Sequence, residues 1–248
     1  MNNIAIFNPR EFDKKTNKQN NNRNLKDKVI AMVPVRSGST RVPKKNIRPF
    51  GDTNLLQLKL RLLKQLDGIK DIIVSTDCEI SANIAQKHNI KIQWRNKYYA
   101  GSKVTNDEHW HHIAQNTPGE VVFLAQVTSP LLRVSSMQEA LNSFLSSDKH
   151  DSINSVSVEK KFLWKNGKPI NYEINMTPKS QDLPNIVSLN FAITIIQRQK
   201  MIEKKNVVGS KPKFFDLDKV ESLDIDDLTD FKIAELMYQE RGINWLMT

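Results

Sequence analysis

From Val29 onward, short apolar runs that end in polar loops alternate with segments whose leucines or alanines recur at helical spacing. That alternation constrains the fold more than any other feature. VIAMVPV (29–35), IIVSTD (72–77), IKIQW (90–94), EVVFLAQV (120–127), SINSVSV (152–158) and LNFAITII (189–196) read as strands, short and rich in β-branched residues. Between and after them, LLQLKLRLLKQL (55–66), EISANIAQKH (79–88), residues 106–115 and residues 227–240 read as helices. In the first of these the leucines form a stripe, with Lys and Arg assigned to the opposite face. Such alternation predicts an α/β fold, with a mostly parallel sheet, helices on both faces and ligands at the carboxyl ends of the strands. No internal repeat is present.

Composition narrows what such a fold can serve. The chain has 248 residues, enough for one large domain or a domain with an appendage. Lys, Arg, Gln or Asp interrupts every apolar stretch before the ~18 residues a membrane span needs. The residues after Met1 are polar and Asn-rich, unlike a signal peptide, and the single cysteine, Cys78, cannot form an internal disulfide. A cytoplasmic protein without a membrane partner is expected. The net charge of +10 attracts polyanions or phosphate-rich small molecules. Residues 1–28 hold seven basic residues and eight Asn, so residues 1–26 read as a disordered basic leader and 27–248 as the folded domain. The remaining excess is moderate and contains no run of five Lys or Arg, so nucleic acid is not the expected partner. A non-catalytic protein binding through its basic surface and leader is the competing reading from another class. Within 159–186, KKFLWKNGKPINYE predicts a hairpin insertion turning at Asn166-Gly167, which could serve as lid, subunit contact or plain surface excursion.

Four clusters fall where an α/β site would use them. After the first strand, Ser37, Gly38, Ser39 and Thr40 are bracketed by Arg36, Arg41, Lys44 and Lys45. Small residues let backbone N–H groups approach an anion, and the cations neutralise it, so this loop can cradle a triphosphate. Neither the common P-loop nor the Gly-x-Gly-x-x-Gly pattern is present. The second cluster, Ser75-Thr76-Asp77, ends a strand, where helix capping alone could account for Asp77. The third, Gln126 to Pro130, could present Gln126, Thr128 and Ser129 to a ligand, with turn chemistry an equal explanation. The fourth is SLDIDDLTD (222–230), in which Asp224 and Asp226 lie two apart in an extended stretch and point the same way. Paired carboxylates facing a cationic loop are complementary to a Mg²⁺-bound nucleotide, although Asp226 or Asp227 could also cap the following helix.

In this order and at these separations, the stretches resemble the acylneuraminate cytidylyltransferases, the family that activates sialic and related acidic sugars as CMP conjugates. The resemblance rests on Arg36 to Asn46, Ser75 to Asp77, Leu124 to Pro130, Asn190 to Ala192 and Asp224 to Asp226, and spans about residues 29–240. It implies a Rossmann-like, GT-A-like nucleotidyltransferase that uses CTP and Mg²⁺, takes an acidic sugar acceptor and forms a homodimer, with the 159–186 hairpin as the candidate contact. It further implies that Arg36, Ser37, Gly38, Ser39, Arg41 and Lys45 serve the triphosphate and that Asn46, Asp77 and Arg95 serve the nucleotide. Gln126, Thr128, Ser129 and Asn190 would approach the acceptor, Asp224 and Asp226 would hold the metal, and Arg36 and Lys45 would share the catalytic work with them.

This chain departs from the family pattern in ways that bear on the acceptor. Thr40-Arg41 replaces Lys-Gly, a spelling closer to the deoxy-octulosonate enzymes and to wider sugar nucleotidyltransferases. Val127 stands for Pro, Leu132 for Arg with Arg133 one residue late, and Phe191 for the Gly of Asn-Gly-Ala. A bulky ring at 191 would narrow the sugar pocket, so another nonulosonic or ulosonic acid, or another acidic acceptor or nucleotide, remains in view. His109, His111 and His112 read as surface or substrate-facing residues because no further metal ligand accompanies them. The four tryptophans read as packing or hairpin contacts, and Cys78 as a small buried residue.

Overall fold

The structure, a computed structural model, describes residues 25–248. The expected leader lies outside the described residues except for Leu25 and Lys26, which belong to a 3-10 turn (Leu25–Lys28) entering the first strand. From there the chain forms β1 (Val29–Pro34), β2 (Pro49–Phe50), β3 (Thr53–Asn54), α1 (Leu55–Leu63), β4 (Ile69–Thr76), α2 (Glu79–Lys87) and β5 (Lys91–Trp94). Next come α3 (Lys97–Ala100), α4 (Asn106–Gln115), β6 (Val121–Leu124), α5 (Val134–Leu145), β7 (Ser152–Glu159), β8 (Trp164–Lys165) and β9 (Lys168–Pro169). The set closes with β10 (Ile186–Gln197), α6 (Arg198–Lys204), β11 (Pro212–Asp216) and α7 (Leu228–Met247), the last broken at Gly242.

Seven strands make one sheet in the order β11-β7-β10-β6-β1-β4-β5. Neighbours pair in parallel except around β10, which runs antiparallel to both β6 and β7. The expected mostly parallel α/β architecture is therefore present. Buried on both faces, β1 reads as a continuous apolar run, as central parallel strands do. Val29, Ala31 and Val33 face a core built with α1, α2, α5 and α7, while Ile30 and Met32 face a second core with α4 and α6. Among the described residues, no helix is long and apolar enough to cross a membrane.

One correction concerns α1. Lys59, assigned by periodicity to a solvent face, is only 1% exposed and donates to the Ser129 carbonyl at 3.0 Å. Leucines at 55, 56, 58, 60, 62 and 63 are buried as well, so only the half-buried side carrying Gln57 and Arg61 approaches solvent. Several further elements are additions to the sequence reading: α5, whose apolar residues recur at helical spacing, α6 and β11. The 159–186 segment does hold a small antiparallel hairpin, β8 with β9. Asn166 (φ 51°) and Gly167 (φ 76°) both occupy the left-handed region that a tight two-residue hairpin turn requires.

Candidate active site

Because six of the seven sheet strands point the same way, their carboxyl ends share one edge, and the loops there surround a cleft of about 440 Å³. The loop after β1 contributes Arg36, Ser39, Arg41, Lys45 and Asn46 to its walls, and the segment after β5 contributes Arg95. Gln126 and Thr128 come from the end of β6, and Asp224 and Asp226 from the extended stretch before α7. Sequence-distant groups are thus brought together as expected.

The two ends of this constellation touch. Lys45 Nζ donates to the Ile225 carbonyl at 2.6 Å, across 180 residues, and Arg41 pairs with Asp226 at 2.7 Å. The Arg41 pair is largely solvated and worth little by itself. Burial pushes the Lys45 ammonium below its usual range, while Asp224 and Asp226 pull it back up. Asp224 is reached by solvent at the cleft yet densely surrounded by protein, and burial raises its carboxyl, with Asp226 adding to the rise. A hydrogen bond from Thr128 and the charge of Lys45 oppose that rise.

Other predicted residues shape the loop instead of lining the cleft. Both oxygens of Asp77 are occupied by Ser37: the backbone N–H at 2.9 Å and the hydroxyl at 2.6 Å. Asp77 is therefore the clamp on the cationic loop. Asn46 lines the cleft but also donates to the Arg36 carbonyl at 3.0 Å, closing the same loop. Gly38 has open space where a Cβ would stand, so packing alone does not require glycine there. Ser129 is buried and its hydroxyl has no partner among the described residues. Arg95 bonds the Ser75 hydroxyl at 3.2 Å, and burial lowers it to about 10, which leaves a guanidinium at neutral pH.

Asn190 is committed elsewhere as well. Its amide oxygen accepts from the Ser155 hydroxyl at 2.5 Å and its amide nitrogen donates to Ser157 at 3.0 Å. These bonds hold a bulge in β10 between Leu189 and Thr194, and at its crest Phe191 adopts φ 55°. A non-glycine residue in the left-handed region costs of order 1–3 kcal/mol and marks stored strain at functional sites. Phe191 lies between the main cleft and a second one of about 510 Å³, which Trp110 and Asn106 also border. Lys204, Asn206 and Val207 lie on the far side of that second cleft.

Sequence reasoning did not single out Tyr99, Val104, Asn106 or Trp110 for the main cleft, and Trp110 proves to be more than a packing contact. His109 lines the cleft, whereas His112 stacks on Tyr99 with ring centres 3.8 Å apart and His111 approaches the Ile202 carbonyl. Cys78 is half-buried at the start of α2, not fully buried. Arg133 meets buried Glu221 through its backbone N–H (2.9 Å) and guanidinium (2.8 Å), which anchors the stretch leading to Asp224.

A family profile described as Cytidylyltransferase matches residues 30–243. The N-acylneuraminate cytidylyltransferase of Escherichia coli O18:K1:H7 is 26% identical over 226 residues, covering 88% of this chain. The chain spans only about half (54%) of that relative's length. The CMP-N,N'-diacetyllegionaminic acid synthase of Legionella pneumophila is 25% identical over 228 residues, 86% of this chain and 97% of the relative. Among solved structures, a CMP:2-keto-3-deoxy-manno-octonic acid synthetase complexed with CTP superposes with TM-score 0.65 at 14% identity, covering 86% of this chain and 99% of that one. The 4-diphosphocytidyl-2C-methyl-D-erythritol synthase of Anaerococcus prevotii gives TM-score 0.64 at 14% identity, over 86% and 97%.

Burial, then the Arg95 guanidinium, lowers both His109 and His112 from 6.5 to about 4. The unfolded chain therefore binds more protons than the folded one between these values. Stability from the neutral rings is full above about pH 6.5 and is lost as pH falls toward 4. Urea midpoints measured across this window should fall with pH, and His112→Gln should flatten the fall. An unchanged slope in that variant would contradict the assignment.

Proposed function

The chain belongs to the cytidylyltransferase family, and from that premise we propose that it transfers CMP from CTP to an acidic sugar, a nonulosonic or ulosonic acid, releasing pyrophosphate. One observation carries the reading: the cationic loop after β1 and the Asp224–Asp226 carboxylates line a single cleft. The names of the relatives support the acidic acceptor, and Lys204 beside the second cleft offers a positive charge for its carboxylate.

In this scheme CTP lies along the main cleft with its phosphates against Arg36, Ser39 and Lys45, and Arg41 exchanges Asp226 for a phosphate oxygen. The acceptor enters from the second cleft. Its hydroxyl oxygen forms a bond to the α-phosphorus and gives its proton to cleft water, while the bond to the bridging oxygen breaks opposite it and pyrophosphate leaves with the charge. On this reading Arg36, Arg41 and Lys45, which line the same cleft, would stand where that charge grows and need little reorganisation at the moment of reaction. Among the described residues, no group of three or more His, Cys, Asp or Glu forms a metal cage. Asp224 and Asp226 instead suit Mg²⁺, which takes one or two carboxylates and completes its shell with water and phosphate oxygens. Bound there, Mg²⁺ supplies neutralisation of the pyrophosphate leaving group. Free CTP as substrate fits a cytoplasmic protein.

Incubation with CTP, Mg²⁺ and a panel of acidic sugars should release pyrophosphate, and UTP, ATP or GTP should be poorer donors. Asp224→Ala and Asp226→Ala should each lower turnover ~100-fold or more with little change in melting temperature, as expected for losing a charge-stabilising group. Wild-type rates in either variant would reject the metal role. Phe191→Gly should relieve backbone strain, raise stability by ~1 kcal/mol and broaden acceptor use; unchanged acceptor preference would remove Phe191 from the specificity wall. The exposed side chains of Phe162, Trp164, Ile170, Ile174 and Met176 support the 159–186 segment as a subunit contact. Light scattering should then give twice the 28.5 kDa chain mass, and a monomer at micromolar concentration would contradict it.

A further inference from the structure

Beneath the floor of the cleft lies a charge that the scheme above does not use. Lys59 stands in the middle of α1 among fully buried leucines and is itself 1% exposed. Its ammonium makes a single hydrogen bond among the described residues, to the Ser129 carbonyl at 3.0 Å. The turn it grips is the one that holds the acidic stretch: the Thr128 carbonyl accepts from the Ile225 N–H at 2.9 Å, and the Thr128 hydroxyl lies near enough to Asp224 to favour its charged form. One side chain is thus two contacts away from a proposed metal carboxylate.

Structural needs alone do not account for a lysine here. A buried ammonium with one neutral partner pays a desolvation penalty that one hydrogen bond does not repay, and an apolar side chain of the same length would fill the space without it. Burial pushes Lys59 down to about 8, and Asp224 is the charge that acts against the fall. The group remains an ammonium at neutral pH.

Building on the cytidylyltransferase reading, we propose that Lys59 is a positioning residue for the metal-nucleotide site: it anchors the Thr128–Ser129 turn from below and supplies a fixed positive charge that holds the Asp224 carboxylate aimed into the cleft. Outer partners of metal ligands commonly change metal affinity by ~10–100-fold when removed. Lys59 acts through Thr128 and Ser129 and touches neither substrate nor metal.

Calorimetric titration of the full chain without acceptor, using CTP with Mn²⁺ and CTP with EDTA, separates this role from simple packing. Lys59→Met should melt at or above the wild-type temperature, bind Mn²⁺-CTP at least ~10-fold more weakly and bind metal-free CTP as the parent does. Lys59→Leu should show the same selective loss, because it too removes the charge and its bond to the Ser129 carbonyl. The proposal is overturned if Lys59→Met melts well below wild type, or if both forms of CTP weaken equally in either variant. Should the parent protein itself ignore CTP, the cytidylyl reading fails first and this role falls with it, a result visible without any variant.

Discussion

Lys45 reaching the Ile225 carbonyl, with Arg41 beside it on Asp226, ties together two stretches that the chain keeps 180 residues apart. Without that closure the positive loop after β1 would be a solvated basic turn and the Asp pair a helix-capping sequence. With it, opposite charges face one another across a cleft a nucleotide could fill. Neither bridge is strong, since one is solvent-exposed and the other uses a neutral carbonyl. Weakness suits the proposed role, in which each cation would trade its present partner for a phosphate oxygen at small cost. The sheet supports this arrangement by delivering the ends of β1, β4, β5 and β6 to one edge, and Asp77 and Asn46 fix the loop that carries the cations.

The reversed strand β10 adds what a fully parallel sheet would lack. Running against β6, it brings Phe191 back over the carboxyl edge, and the Asn190 bonds to Ser155 and Ser157 hold the bulge that turns the ring toward the cleft. Asn190, placed by likeness among acceptor contacts, thus shapes the cleft wall from behind. The strain stored at Phe191 is sustained by those polar bonds on the far side of the strand.

Much of this was legible in the sequence where the signal is local. Strand and helix alternation, the turn at Asn166-Gly167 and α4 over 106–115 follow from periodicity and turn chemistry. Elements defined by distant partners were not. The first N–H groups of α5 follow Arg133, whose backbone N–H is met by Glu221, 88 residues on, so no capping residue marks its start. Lys59 looked like a solvent-side residue because periodicity cannot tell that the turn at Ser129 covers that side of α1. The cluster at Arg36 to Lys45 was readable because its charge is unusual, whereas Tyr99, Val104 and Trp110 carry no chemical signal until the fold sets them beside Arg95.

The central claim is that one metal-bound nucleotide spans the cleft from Arg36 and Lys45 to Asp224 and Asp226. A crystal structure grown with CTP and Mg²⁺ addresses it most directly. The account predicts a triphosphate against the loop after β1, with a metal between its oxygens and both carboxylates, and Arg41 moved off Asp226. Nucleotide bound elsewhere, or bound in the cleft with its phosphates turned away from both groups, would contradict it.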